Sequence, residues 1–295
     1  MLMRFGGHET FAVREGWLSK GLSLIKNDPR AFEDPFVSDS LGVGRNMAKS
    51  IRHWLMVTGL VRKGKDRSLS ITDTGEVVFK HDPYLLSVGT WWALHVNLVT
   101  CREDAVVWRV FFDTFPHERF DRIGCVEEMR RQLALDGQRL PSEKTLLRDV
   151  ACMLSSYATV LPPEDVDPEE GRESPFRSLG LVTELRETGT YRLNRSRKDV
   201  PLAVLGYALS VMPADEAAED FVDIGFSEAF AKPGSAGKTL CLDLETFSDL
   251  LDKSEKSFGS ELIHVRQLGG ERFIRVRHIS GSDWLTKYYA ESGKH

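Results

Sequence analysis

The sequence predicts a mainly α-helical protein with small β wings: tandem winged-helix units followed by a C-terminal α+β region. Three observations lead there. An amphipathic basic helix, Arg45–Thr58, follows a glycine turn and precedes a short basic hairpin. The same order of elements recurs between Val126 and Asn194. From Asp199 onward, helical stretches give way to strand-like segments rich in arginine. A length of 295 residues is long for one compact core, so three domains are expected, 1–100, 101–198 and 199–295.

In the first unit, Glu15–Ile25 carries Trp17, Leu18, Leu22 and Ile25 at helical spacing, and Asp28-Pro29 ends the run. A short helix over Pro35–Leu41 is expected to turn Phe36, Val37 and Leu41 inward, with Gly42 and Gly44 making the turn. The next helix, Arg45–Thr58, has Met47, Ala48, Ile51, Trp54 and Leu55 on one face. Arg45, Asn46, Lys49, Arg52 and His53 fall on the other. Leu60–Lys63 and Leu69–Thr72 then read as strands around the polar turn Gly64–Ser68, which puts Lys63, Lys65 and Arg67 in the wing.

Between Gly42 and Ile71 seven basic residues face one acid, Asp66, whereas Val211–Glu255 holds eleven acids and three bases. The net charge of −5 is therefore unevenly spread, and a duplex meets the local field. Cations on both helix and wing point to contact with double-stranded DNA. The competing reading is an amphipathic helix whose solvated face is basic.

The second unit reads as a helix over Val126–Leu135, a turn at Gln138–Pro141, and a helix over Glu143–Tyr157 with Ser142 as its N-cap. Leu146, Leu147, Val150, Met153 and Leu154 point inward, and Lys144, Arg148 and Asp149 outward. Leu179–Leu185 and Thr190–Asn194 would be its wing. Pro162–Ser174, with six acids and three prolines, reads as an exposed loop. Lys144 and Arg148 are DNA contacts if the unit binds DNA; otherwise the unit serves packing. In the last third, helices over Pro201–Met212 and Leu244–Lys253 precede strands near Glu261–Leu268 and Glu271–Ile279. The strands carry Arg266, Arg272, Arg275, Arg277 and His278.

Hydrophobic residues make up 41% and charged residues 28%, an ordinary globular balance. Met1–Thr10 lacks an apolar signal-peptide core, and the longest apolar run, Val200–Met212, is too short to span a bilayer. A cytoplasmic protein without a membrane role is expected. Cys101, Cys125, Cys152 and Cys241 lie far apart and read as buried reduced thiols.

The N-terminal run Phe5-Gly6-Gly7-His8-Glu9-Thr10-Phe11-x-x-Arg14-x-Gly16-Trp17-Leu18-x-Lys20 is peculiar, as are Leu41-Gly42-Val43-Gly44-Arg45-Asn46-Met47 and Ser50-Ile51-Arg52-His53-Trp54. With Thr72-x-x-Gly75, Asp82-Pro83-Tyr84-Leu85, Gly89-Thr90-x-Trp92, Ser142–Val150, Ser174-Pro175-Phe176 and Leu179-Gly180-Leu181, they make the chain resemble the SspB-like family. That family carries a domain-of-unknown-function label. It occurs beside cysteine desulfurases and ATP-pyrophosphatase-type sulfur-transfer enzymes in bacterial DNA phosphorothioation and phage-defence clusters. The resemblance implies a DNA-nicking partner of the sulfur-insertion machinery, with sulfur-transfer and ATPase components as further partners. In the last third, Pro233–Lys238 stands where the family has a Ser-Pro-Gly-Arg-like turn.

Phosphodiester cleavage needs a nucleophile, a proton acceptor and positive charge at the phosphorus. His8, Glu9, Thr10 and Arg14 supply such groups within seven residues. His8 would move a proton or bind a metal, Glu9 would hold Mg²⁺ or Mn²⁺ or act as base, and Thr10 and Arg14 would converge on a phosphate. Capping of the first helix, with Arg14 paired to Glu9, is the structural alternative. The sequence has no His-Asn-His, GIY-YIG or PD-(D/E)xK pattern and no Walker A loop. A metal-dependent nickase and a non-catalytic adaptor that recruits sulfur-transfer enzymes both remain open, with a transcriptional regulator third.

Overall fold

The computed structural model describes residues 3–135, 137, 140–161, 174–196, 198–212 and 220–292. They belong to two compact units, Met1–Asn194 and Arg195–His295. The expected domain 1–100 and the expected domain 101–198 up to Asn194 thus fall in one unit.

That unit opens with α1 (Trp17–Asn27), α2 (Val37–Leu41) and α3 (Arg45–Val57), followed by the hairpin β1 (Val61–Lys63) and β2 (Leu69–Ile71). The helical spacing of Trp17, Leu18, Leu22 and Ile25 buries α1 against α3. Gly42 closes α2 at φ 66°, a left-handed conformation glycine reaches without steric penalty. In the hairpin Val61 pairs with Ile71 and Lys63 with Leu69, both strands antiparallel. Phe36, expected inward, is 68% exposed. It sits at the N-cap of a helix only five residues long, and Ser38 and Leu41 supply that helix's buried face instead.

Next come α4 (Asp73–His81), α5 (Val88–Thr100), α6 (Val106–Asp113), β3 (Arg119–Phe120), α7 (Arg122–Leu135), α8 (Glu143–Tyr157), β4 (Ala158–Leu161), β5 (Val182–Leu185) and β6 (Thr190–Leu193). The Thr72 side chain accepts from the Gly75 amide at 3.0 Å and so caps α4. Asp82 accepts from the amides of Leu86 (2.8 Å) and Ser87 (3.0 Å) and from the Thr90 hydroxyl (2.6 Å), which fixes the entry to α5. The segments β5 and β6 do form a hairpin, but not an isolated wing. β4 pairs parallel to β5 and β3 pairs with β6, giving a four-stranded sheet in the order β3-β6-β5-β4. The Pro162–Ser174 loop, apart from Ser174, and part of the Gln138–Pro141 turn lie outside the described residues.

One aromatic core runs through this unit. Trp54 of α3 meets Trp108 of α6 edge to face, with centroids 5.5 Å apart, and Phe176 beyond it at 6.1 Å. Phe176 stacks on Tyr157 of α8 and meets Trp91 of α5. Because Trp54 and Trp91 come from the first hundred residues and the others from the second, neither half closes a core alone.

The C-terminal unit contains α9 (Leu202–Ser210), β7 (Phe221–Gly225), α10 (Phe226–Ala231), α11 (Ala236–Thr239), α12 (Leu244–Phe258), β8 (Ile263–Leu268), β9 (Glu271–Arg277) and α13 (Gly281–Ser292). Its antiparallel sheet has the order β7-β9-β8. Asp243 caps α12 by accepting from the Thr246 amide at 2.7 Å. The arginines of this sheet are partly neutralised: Arg275 pairs with Asp223 at 2.9 Å and Arg272 approaches Asp252 at 3.8 Å, its guanidinium lying 4.5 Å over the Phe226 ring. Among the described residues no helix is long and apolar enough to cross a membrane. None of the four cysteines is in a disulfide; Cys125, Cys152 and Cys241 are buried and Cys101 is partly so. Burial pushes the Cys125 thiol up to about 12.

Candidate nucleic-acid interface

The N-terminal loop is held down by a buried polar linkage. The backbone amide of Thr10 donates to His8 Nδ1 at 3.0 Å, so the ring proton sits on Nε2 and donates to Asp149 Oδ1, also 3.0 Å away. The other Asp149 oxygen accepts from the Gly6 amide at 3.0 Å. His8 is 1% and Asp149 3% exposed. Asp149 was expected outward as a charged residue, but it lies on the apolar stripe of α8, between Leu146 and Met153, and pairs with a residue 141 positions away.

His53 also departs from expectation. It is buried beneath the loop rather than displayed with the cations of α3. Gly7 is what allows this: a Cβ there would sit 2.5 Å from His53 Nδ1. Burial first, and neighbouring His8 second, pull the His53 pKa down to about 3. The Trp54 indole fixes the far end of the loop by donating to the Phe11 carbonyl at 3.0 Å. Trp54 and Ile51 are fully buried, as their shared apolar face predicts.

The four residues proposed as a catalytic group are therefore dispersed in environment. His8 is buried, Glu9 and Arg14 are half-buried, and Thr10 is exposed. Thr10 and Arg14 do not share a helix face, because the first helix starts only at Trp17. Arg14 lies over the Trp17 ring at 5.6 Å and Glu9 approaches Lys49 of α3 at 3.9 Å, so the Arg14–Glu9 pair of the capping alternative is replaced by two other contacts. Glu9 and Thr10 have φ of 50° and 71°, consecutive left-handed residues without a glycine. For a β-branched threonine this is a strained conformation.

These residues do not build a resident divalent-metal site. Both His8 nitrogens are engaged, so the ring has no free lone pair to offer. Glu9 is a single carboxylate beside a cation. No cluster of three or more histidine, cysteine or acidic residues suited to a metal occurs among the described residues.

The cations fare differently. Arg45 and Lys49 are exposed and Arg52 is half-exposed, all on α3, while Lys63, Lys65 and Arg67 are exposed on the hairpin. Asn46 is exposed and its side-chain oxygen accepts from Lys49 at 3.4 Å. The side chains of Arg45, Arg52, Lys63, Lys65 and Arg67 have no hydrogen-bond or ion-pair partner among the described residues. Arg67 takes a left-handed φ of 64° at the hairpin turn, and the turn is tied back by an Arg30–Asp66 ion pair. The Leu69 amide donates to the Pro29 carbonyl at 2.8 Å, so β2 runs beside the segment that leads into α2 and α3. Lys144 and Arg148 are exposed on α8. Sequence reasoning missed Asp149; its signal was the position on the Leu146–Val150–Met153 stripe, which its charge obscured.

The family model described as a protein of unknown function (DUF4007) matches residues 5–289. A magnesium ion-bound SspB crystal structure is similar, with a TM-score of 0.84 and 25% identity, covering 97% of this chain and 88% of that one. A second SspB crystal structure gives a TM-score of 0.83 at 25% identity, covering 98% and 87%. No curated protein sequence matches. With the family model spanning nearly the whole chain and the fold shared throughout, this protein belongs to the DUF4007 family and is SspB-like.

Proposed function

We propose that this protein is the DNA-binding component of a bacterial DNA phosphorothioate modification and defence system. It would grip duplex DNA through a winged-helix arrangement, with α3 as the recognition helix and β1–β2 as the wing. The observation that carries this reading is the set of cations on α3 and the hairpin left without acidic partners. Such a surface matches a polyphosphate, and likeness to SspB supplies the modification setting. Sulfur-transfer and ATPase components of the same machinery are the protein partners. His8 and Asp149 act as positioning residues: they pin the loop that covers His53, and thereby the back of α3.

The test is duplex binding by fluorescence anisotropy over a range of salt. Changing Arg45, Lys49 and Arg52 together to alanine is expected to reduce the salt slope by about one unit per lost phosphate contact. A normally folded triple variant that binds as tightly as the parent refutes the interface.

Nicking by this chain is a second reading, favoured by the strained Glu9–Thr10 backbone beside Lys49. Supercoiled plasmid is incubated with the protein, with and without Mg²⁺ or Mn²⁺. If the reading holds, the parent nicks and Glu9→Ala abolishes nicking at unchanged duplex affinity. Absence of nicking by the parent leaves the adaptor role.

A further inference from the structure

Between the 3-10 turn Ala31–Glu33, α2 and α3 lies a cleft of about 190 Å³, lined by Phe32, Pro35, Val37, Ser38 and Ala48 together with Arg45, Lys49 and Arg52. It is smaller than the roughly 300–1,000 Å³ of clefts that hold drug-sized ligands, and has room for a single flat ring system. Its lining joins an aromatic ring, a proline, a valine and an alanine to one serine hydroxyl and three cations. Phe36 does not line the cleft itself but stands in sequence between the lining residues Pro35 and Val37, and it is 68% exposed.

A paired duplex offers this surface phosphates and the edges of its bases, but no ring face. Phosphates would satisfy the rim but leave the apolar walls wet, because the faces of paired bases are covered by their neighbours. The piece of a nucleic acid that is both flat and apolar is a base taken out of the stack. Base–aromatic contact is the usual means by which proteins hold such bases, and exposed apolar side chains serve as wedges that open a step.

We propose that this cleft receives one unstacked nucleobase of a DNA strand. Phe32, Pro35 and Val37 pack on the ring, Phe36 closes over it from the rim, and Arg45, Lys49 and Arg52 hold the flanking phosphates. The proposal rests on the DNA-binding reading and deepens it: the preferred substrate is DNA with a local unpaired base, beyond duplex as such.

The test compares a perfectly paired duplex with the same duplex carrying one bulged base, by fluorescence anisotropy at one fixed salt concentration. Bulged DNA is expected to bind about tenfold tighter, within the range set by stacking of a single base. Phe36→Ala removes an exposed ring and is expected to erase most of that preference while paired-duplex affinity stays within about twofold. Phe32→Ala is expected to do the same; if it melts early, Phe36→Ala decides alone. A parent that binds both duplexes equally overturns the cleft proposal and leaves the DNA-binding reading standing. So does a folded Phe36→Ala variant that keeps the full preference. Failure of the parent to bind either duplex overturns both.

Discussion

Lowering the pH from 7.5 to 5 is expected to cost this protein about 2 kcal/mol of folding stability through His53 alone. The folded pKa is about 3 because the ring is buried beneath Gly7 and beside His8. In the unfolded chain it returns to about 6.5. Above pH 6.5 both states carry a neutral ring and the residue is silent. As pH falls below 6.5 the unfolded state takes up a proton that the folded state refuses, so stability is lost on acidification. At pH 5 the unfolded ring is protonated in about thirty of every thirty-one molecules and the folded ring almost never, a gap of about 1.5 pH units at 1.36 kcal/mol each. Urea denaturation at several pH values measures the total, to which other groups contribute. The parent is therefore compared with His53→Asn, which cannot titrate, and the difference between their pH profiles isolates this residue. If the two profiles run parallel between pH 7.5 and 5, the burial argument is wrong.

Other outcomes follow from the same packing. Asp149→Ala leaves the His8 Nε2–H and the Gly6 amide without acceptors and should cost about 3 kcal/mol in urea denaturation, with Asp149→Asn costing less; a loss under about 0.5 kcal/mol contradicts the linkage. Thr10→Gly keeps the backbone donor to His8 and relieves a left-handed φ of 71°, so it should stabilise by about 1 kcal/mol after glycine's own flexibility is subtracted; destabilisation on thermal melting would show that the strain is absent. Ile51→Ala, at a fully buried position, should cost about 2–5 kcal/mol, and a melting curve like the parent's would remove Ile51 from the core.

Where structure is local, the sequence was a sound guide. The helix Arg45–Thr58 appears as Arg45–Val57, Glu143–Tyr157 appears with its Ser142 cap, and the strands around Gly64–Ser68 pair as a hairpin. Each of these depends on neighbours within a few residues. By contrast, α5 buries ten of its thirteen residues, so no polar face marks its period. The four-stranded sheet was illegible for another reason: β4 follows directly from α8 and finds its parallel partner more than twenty residues later. Side-chain direction failed at polar residues in particular. His53 and Asp149 were placed outward by polarity, and Phe36 inward by its lack of it. His53 and Asp149 are decided by what remote segments cover, to which pattern reading has no access, whereas Phe36 sits at the N-cap of a five-residue helix whose buried face is Ser38 and Leu41. Of the candidate site, the cations of α3 and the hairpin were read correctly as exposed. The His-Glu-Thr cluster was singled out as chemistry, whereas its histidine is a buried anchor.

The 141-residue span between His8 and Asp149 also sets a timetable for synthesis. At about 5–20 residues per second a ribosome takes roughly 7–28 s to reach Asp149 after it has added His8. During that interval the Gly6–His8 loop cannot lock, and His53 and Trp54 lie under a cover not yet fastened. Trp108 and Phe176, against which Trp54 packs, also arrive late in the chain. The helix that carries the principal cations is thus made early and seated late. A nascent chain stalled before α8 would expose both an apolar face and a basic one, the form in which holdase chaperones or stray nucleic acid would meet it first.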